Sequence, residues 1–288
     1  MRILVIGKNG QLGKSLKKQI TEERSSHNFV FIGRDELDLS SSKNISAYFS
    51  NTVFDIIINC AAYTAVDNAE NESKLANQVN HIAVAELAKI SKLKCSKLIH
   101  ISTDYVFDGE SNNSYMESEP KNPINVYGKT KLAGERAILH IMEENALIIR
   151  TSWLYSEYGN NFVSSMISMG INSDIVNIVS DQIGSPTYAK DLADVLLKII
   201  NTEKFIFHNI PTEVFHFSNI GSISWYEFAK EIFKIKKINC KVKPVPLLDY
   251  QSLARRPRNT LMSKDKIKST YDINLIFWKN SLKRYLEK

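Results

Sequence analysis

What the chain lacks narrows its class first. Its 288 residues include only three cysteines, Cys60, Cys95 and Cys240. They lie far apart, with no CxxC pair or Cys/His cluster, so neither a disulfide framework nor a metal site is expected. Unpaired, buried thiols in a reducing cytoplasm are expected instead. No run of 18 apolar residues occurs, so no membrane-spanning helix is expected. The opening MRILVIGKNG offers five apolar residues before a glycine, too few for a signal peptide but suited to a first β-strand. Internal repeats and low-complexity tracts are also lacking, which excludes a solenoid.

Charge is present but uneven. The net charge is +6, yet residues 230–288 hold 16 Lys/Arg against 5 Asp/Glu, and the first 229 residues carry −5. A basic C-terminal region suits a phosphorylated small molecule, a nucleic acid or a membrane surface. No nucleic-acid motif accompanies it, so neither nucleic acid nor membrane is expected as a partner. Most of these lysines read as a solvated surface.

Short apolar runs alternate with amphipathic stretches through residue 150. The runs are RILVI (2–6), FVFI (29–32), FDIII (54–58), KLIHIS (97–102) and ALIIR (146–150). Near-continuous Val, Ile, Leu and Phe mark strands buried on both faces. The intervening helical patterns imply an α/β fold: a Rossmann-type, doubly wound parallel sheet whose strand C-termini share one edge. Residues 1–150 are expected to form the nucleotide-binding domain, with about 175–201 returning to it in part. Residues 151–288 are expected to be mainly a smaller substrate-binding part, with a strand at 175–179 and helices at about 188–201 and 224–235. The proline-rich VKPVPLLDYQSLARRPRNT is expected to be a loop.

The first run leads into GKNGQLG, with glycines at Gly7, Gly10 and Gly13. Any tight turn uses glycine, but one between a first strand and a helix suits a dinucleotide diphosphate: the backbone can approach it, and the helix N-terminus supplies free N–H groups. After the second strand comes Arg34, 21 residues beyond Gly13, where an arginine suits a 2′-phosphate. The expectation is therefore NADPH, although Asp35 argues the other way. Asp38 and Leu39 follow where an adenine edge would lie. Ala61 and Ala62 end the third strand and leave room for a ribose; as packing residues they would fit equally well.

Tyr127 and Lys131 stand four apart in NVYGKTKLAGE, on one face of an expected helix. A phenol has a pKa of about 10, and a neighbouring ammonium is expected to lower it. The pair could then give a proton to a carbonyl oxygen while hydride reaches its carbon, and the lysine could also hold a nicotinamide ribose. Tyr-x-x-x-Lys is common by chance. Here it follows STDYVFDG, whose Thr103 sits at a strand end, 24 residues before Tyr127. Thr103, Tyr127 and Lys131 are the candidate catalytic set.

Taken with GKNGQLG, NCAAYTAVDNAE, RTSWLY, GNNF, DQIGSPTYAKDLA and RRPRNTLMS, these stretches resemble the extended short-chain dehydrogenase/reductase superfamily, and within it the dTDP-4-dehydrorhamnose reductase family. The likeness runs from residue 7 to about 263. It implies NADPH-dependent reduction of dTDP-4-dehydro-L-rhamnose to dTDP-L-rhamnose for cell-surface polysaccharide synthesis. It implies that Gln11 and Leu12 join Gly10 at the diphosphate, and that Tyr63 joins Asp38, Leu39, Ala61 and Ala62 around the adenosine and ribose. Asp104 and Trp153 would meet the sugar, and Arg256 the nucleotide diphosphate. Sugar-nucleotide dehydratases carry Thr-Asp-Glu at the Thr103 strand end; Tyr105 here removes that glutamate. NADH as a second cofactor, a Mg2+ requirement and a homodimer stay open; KRYLEK lacks the glutamate cluster linked to metal-bridged dimers in some members, which counts against dimerisation through a metal. Reduction of another nucleotide-linked 4-keto sugar, or a non-catalytic regulatory subunit, are the other readings.

Overall fold

The structure is a computed structural model that describes residues 1–23 and 25–287. Arg24 and Lys288, the last residue of KRYLEK, lie outside the described residues.

Five strands form where the apolar runs predict them: β1 (Arg2–Ile6), β2 (Asn28–Ile32), β3 (Ile56–Asn59), β4 (Lys97–Thr103) and β5 (Ala146–Thr151). A sixth, Glu213–His216, completes the sheet beside β5. It escapes sequence reading because it is four residues long with polar ends. All pairings are parallel, in the order 2-1-3-4-5 and then Glu213–His216. The order reverses direction between β1 and β3, which opens a crevice at the strand C-termini there.

Alternation along each strand sends successive side chains to two separate cores. Ile3, Val5, Ile56, Ile58, Leu147 and Ile149 face one; helices α1 (Gln11–Glu23) and Ala189–Ile200 cover it. Leu4, Ile6, Ile57, Leu98 and Ile148 face the other, under α2 (Ser42–Ser50), Ala83–Leu93 and Val126–Ile141. Each such side chain contributes roughly 1.5–3 kcal/mol by leaving water.

The helix Ala189–Ile200 therefore returns to the sheet. The strand Ile175–Val179 does not: it pairs in parallel with Lys241–Val245 in a separate two-stranded sheet. The start of the proline-rich segment is thus a strand, not a loop. Pro244 is tolerated because this strand has one neighbour, which leaves an edge that needs no N–H donor. A third core, built on Tyr155, Met166, Tyr188, Phe228, Phe233 and Trp278, holds the C-terminal part together.

The cysteines are unpaired, but the expected burial is not met: Cys95 is exposed, and Cys60 and Cys240 are half-buried. Cys95 sits at φ +55 in the turn after Ala83–Leu93, where the chain leaves the helix for β4. Among the described residues no helix is long and apolar enough to cross a membrane, and no group of three or more His, Cys, Asp or Glu is placed to hold a metal ion.

Candidate active site

A cleft of about 820 Å³ lies over the reversal point of the sheet. That is the size of a cofactor or ligand site. Its floor begins at the glycine turn. Gly7 has φ +95, and a Cβ there would lie 2.9 Å from the Ala61 amide nitrogen. Gly13 does not border the cleft; a Cβ on it would lie 2.2 Å from the Gly7 carbonyl oxygen, so it lets α1 start against the turn. Gly7, Gly10, Gln11 and Leu12 border the cleft beside the N-terminus of α1.

Arg34, Asp38 and Leu39 border one end, and Asp35 does not. Arg34 is exposed, with Nε 3.5 Å from Asp38 Oδ1. The Ser40 amide and hydroxyl both donate to Asp38 and hold its carboxyl below the usual carboxylate range. Ala61, Ala62 and Tyr63 form the wall at the end of β3.

Thr103, Tyr127 and Lys131 border the same cleft. Tyr127 enters on the first turn of Val126–Ile141. Asn125 caps that helix, its side chain accepting from the Gly128 amide at 2.7 Å and donating to the Arg255 carbonyl at 2.8 Å. The expected lowering of the Tyr127 phenol by Lys131 is not met. Tyr127 is half-buried, and burial pushes its phenol well above its usual pKa. The Thr103 hydroxyl opposes the shift, while Asp104 and Tyr105 add to it. Lys131 is 1% exposed and turned the other way: Nζ donates to the Ile101 carbonyl at 2.7 Å and lies 3.2 Å from His100 Nε2. Burial brings its pKa down to about 8.

Asp104 is buried beside Thr103, whose hydroxyl donates to it at 3.0 Å. Burial lifts its carboxyl to about 7, against the hydroxyls of Thr260 and Thr103. Trp153 borders the cleft with φ +47 and stacks on Trp225, their ring centroids 3.5 Å apart. A Cβ on Gly184 would lie 2.6 Å from the Trp153 indole, so only glycine leaves it room. Arg256 does not border the cleft. It stands behind Tyr105, donating to Asp67 at 2.8 Å.

Sequence reading passed over Asn80, His100, Asn125 and Trp225. Asn80 sits in a π-helical turn, Gln78–Ile82. Its side chain exchanges two hydrogen bonds with the Tyr63 backbone and donates to the Thr130 hydroxyl at 3.2 Å. It thereby joins the β3 wall to the Tyr127 helix. A polar residue on the inner face of LANQVNHIAVAELA, and a histidine inside the apolar KLIHIS, were the available signals.

The arrangement combines a diphosphate-sized glycine turn with a phenol, a hydroxyl and an amine at its far end. The model of the family described as RmlD substrate binding domain matches residues 1–288. A dTDP-4-dehydrorhamnose reductase of Aggregatibacter actinomycetemcomitans is 38% identical over 289 residues, covering 98% of this chain and 97% of that one. The crystal structure of a dTDP-4-dehydrorhamnose reductase from Clostridium acetobutylicum is 37% identical, with TM-score 0.92, covering 100% of this chain and 99% of that one. That of the Bacillus anthracis dTDP-4-dehydrorhamnose reductase in complex with NADP is 37% identical, with TM-score 0.91, covering 99% and 98%. With its whole length matched, and relatives above one-third identity from end to end, this chain belongs to the RmlD substrate-binding-domain family.

Proposed function

We propose that this chain reduces the C4 keto group of dTDP-4-dehydro-L-rhamnose with NADPH, giving dTDP-L-rhamnose for polysaccharide synthesis in the cytoplasm. The observation that carries the reading is that Thr103, Tyr127 and Lys131 border one cleft with the glycine turn. The named activity of the full-length relatives supports the same substrate.

The residues fit a nicotinamide dinucleotide. Gly7, Gly10, Gln11 and Leu12 would hold the diphosphate at the N-terminus of α1, whose free N–H groups and dipole favour an anion. Arg34, Asp38 and Leu39 would hold the adenosine, and Ala61, Ala62 and Tyr63 the ribose side. When bound, the cofactor supplies the hydride.

Tyr127 supplies the proton. A phenol held above its usual pKa remains fully protonated near neutrality, the state a reductase needs at the start. An alkoxide at C4 is a much stronger base than a phenolate, so transfer from Tyr127 runs downhill. Thr103 would offer a second hydroxyl to the same oxygen by giving up its bond to Asp104. Asp104 and the Trp153 indole would orient the sugar, the indole covering its C–H face. Arg256 would reach a substrate diphosphate by exchanging its bond to Asp67.

The test follows NADPH absorbance with dTDP-4-dehydro-L-rhamnose and, in parallel, other dTDP- and UDP-linked 4-keto sugars. Turnover with the first supports the proposal. Turnover with a different keto sugar alone would reassign the substrate. No turnover, with a second protein co-purifying, would favour a regulatory subunit.

A further inference from the structure

Behind Lys131, away from the open side of the cleft, hydrogen bonds run from β3 to β4. The Ala61 backbone N–H donates to Asn59 Oδ1 at 3.1 Å. A backbone amide can only donate, so it fixes which end of the Asn59 side chain points where. Asn59 Nδ2 then faces His100 Nδ1 at 3.2 Å. An amide NH2 group also only donates, so Nδ1 accepts, and a neutral imidazole that accepts at Nδ1 carries its proton on Nε2. That Nε2–H points at Lys131 Nζ, 3.2 Å away. An ammonium has no lone pair to receive it; an amine does.

We propose that His100 holds Lys131 as a neutral amine, the His100 Nε2–H donating to the Nζ lone pair. His100 is thus a positioning residue that acts through Lys131.

The surroundings agree. His100 and Asn59 are fully buried. Burial keeps the His100 imidazole far from protonation, which closes the route through a doubly protonated ring. Glu135 is the carboxylate on the same helix that favours a charged Lys131, but it already accepts from the buried Arg150 and from Ser102. On β4 the other facing groups are the Ile101 carbonyl, which accepts from amine or ammonium alike, and Asp104 beyond Thr103. Tyr127, from the helix itself, is held neutral. Burial, opposed by Glu135, takes Lys131 down to about 8. The N–H to N–H conflict that protonation would create with His100 takes it lower.

The proton assignment stands on this geometry; its bearing on turnover rests on the reductase reading. The full chain without ligand, carrying 15N-histidine and 13C-lysine, is examined by NMR. His100 is expected to be protonated at Nε2 and bare at Nδ1. Lys131 is expected to be an amine already at neutral pH, while exposed lysines titrate near their ordinary value of about 10.4. His100→Gln offers the ammonium an accepting oxygen, and Asn59→Asp offers Nδ1–H an acceptor that turns the tautomer over. Each is expected to raise the Lys131 midpoint by about one unit or more. A space-filling His100 would leave it in place.

A proton on Nδ1 in the unsubstituted chain, or Lys131 still an ammonium at neutral pH, overturns the proposal. Both are read without any variant, so a variant that misfolds leaves the test intact. NADPH turnover in the same preparation separates the two readings. Turnover with the wrong tautomer rejects this inference alone, and the expected tautomer without turnover rejects the reductase alone.

Discussion

The carbonyl oxygen of Tyr105 fills the place that a Cβ on Gly128 would need, leaving 2.2 Å between them. The Tyr127 helix is seated directly on the loop that follows Thr103. Gly128→Ala has to push the helix off that carbonyl, at a cost of about 1–3 kcal/mol, typical of overpacking. Turnover is expected to fall at least about tenfold through misplacement of Tyr127. Chemical denaturation and initial rates check both; unchanged rates would mean the seat does not set the phenol.

Tyr127→Phe removes the proposed proton donor and little else. Turnover is expected to drop by about 10²–10⁴-fold, the usual worth of a general acid, with NADPH affinity unchanged. In the unsubstituted enzyme the raised phenol is expected to give no loss of kcat from its own ionisation up to its ordinary pKa of about 10. Steady-state rates across pH, with fluorescence titration of NADPH, measure both.

Asp104 gives a stability signature with a definite sign. Its folded pKa, about 7, lies above the ordinary 3.8. Between those values the folded state binds more protons than the unfolded one, so stability falls as pH rises from about 4 through about 7 and then levels off. Asp104→Asn is expected to remove that slope and to gain roughly 2–4 kcal/mol relative to the original chain at pH 8. Urea denaturation of the two proteins at several pH values checks the difference. A slope retained in the variant would assign it to another group.

Arg34 stands 75% exposed at the adenosine end, next to Asp38. Arg34→Ala is expected to weaken NADPH by about 1–2 kcal/mol, the worth of a charge-assisted phosphate contact, and to leave NADH nearly unchanged. Dissociation constants for both cofactors test it. Equal losses would withdraw the 2′-phosphate assignment.

Arg150 and Glu135 form a fully buried, two-pronged ion pair under the site, with Ser102 donating to the same carboxylate. Arg150→Met strands the carboxylate in the core and is expected to cost about 3–5 kcal/mol. The double change with Glu135→Leu is expected to recover much of it. A thermal-unfolding cycle reads the coupling.

The sequence by itself determined the frame. Near-continuous apolar runs need burial on both faces, so they specified a parallel sheet and came within two residues of five of its strands. Three glycines after the first run specified a tight turn, in which Gly7 meets the Ala61 backbone and Gly13 the Gly7 carbonyl. Tyr127, Lys131 and Thr103 were legible because helix periodicity and strand ends fix where such side chains project.

Tertiary structure decided what depends on groups distant in the chain. The strand Glu213–His216 is too short to announce itself and exists because β5 offers an open edge. Pairing with Ile175–Val179 made a strand of the proline-bearing Lys241–Val245. Trp225 lies 72 positions from Trp153 and meets it only through packing. The spacing of Tyr127 and Lys131 suggested that one would acidify the other. The fold instead turned the lysine toward His100 and Ile101 and half-buried the tyrosine, because burial and hydrogen-bond partners, not separation along a helix, set where a proton resides.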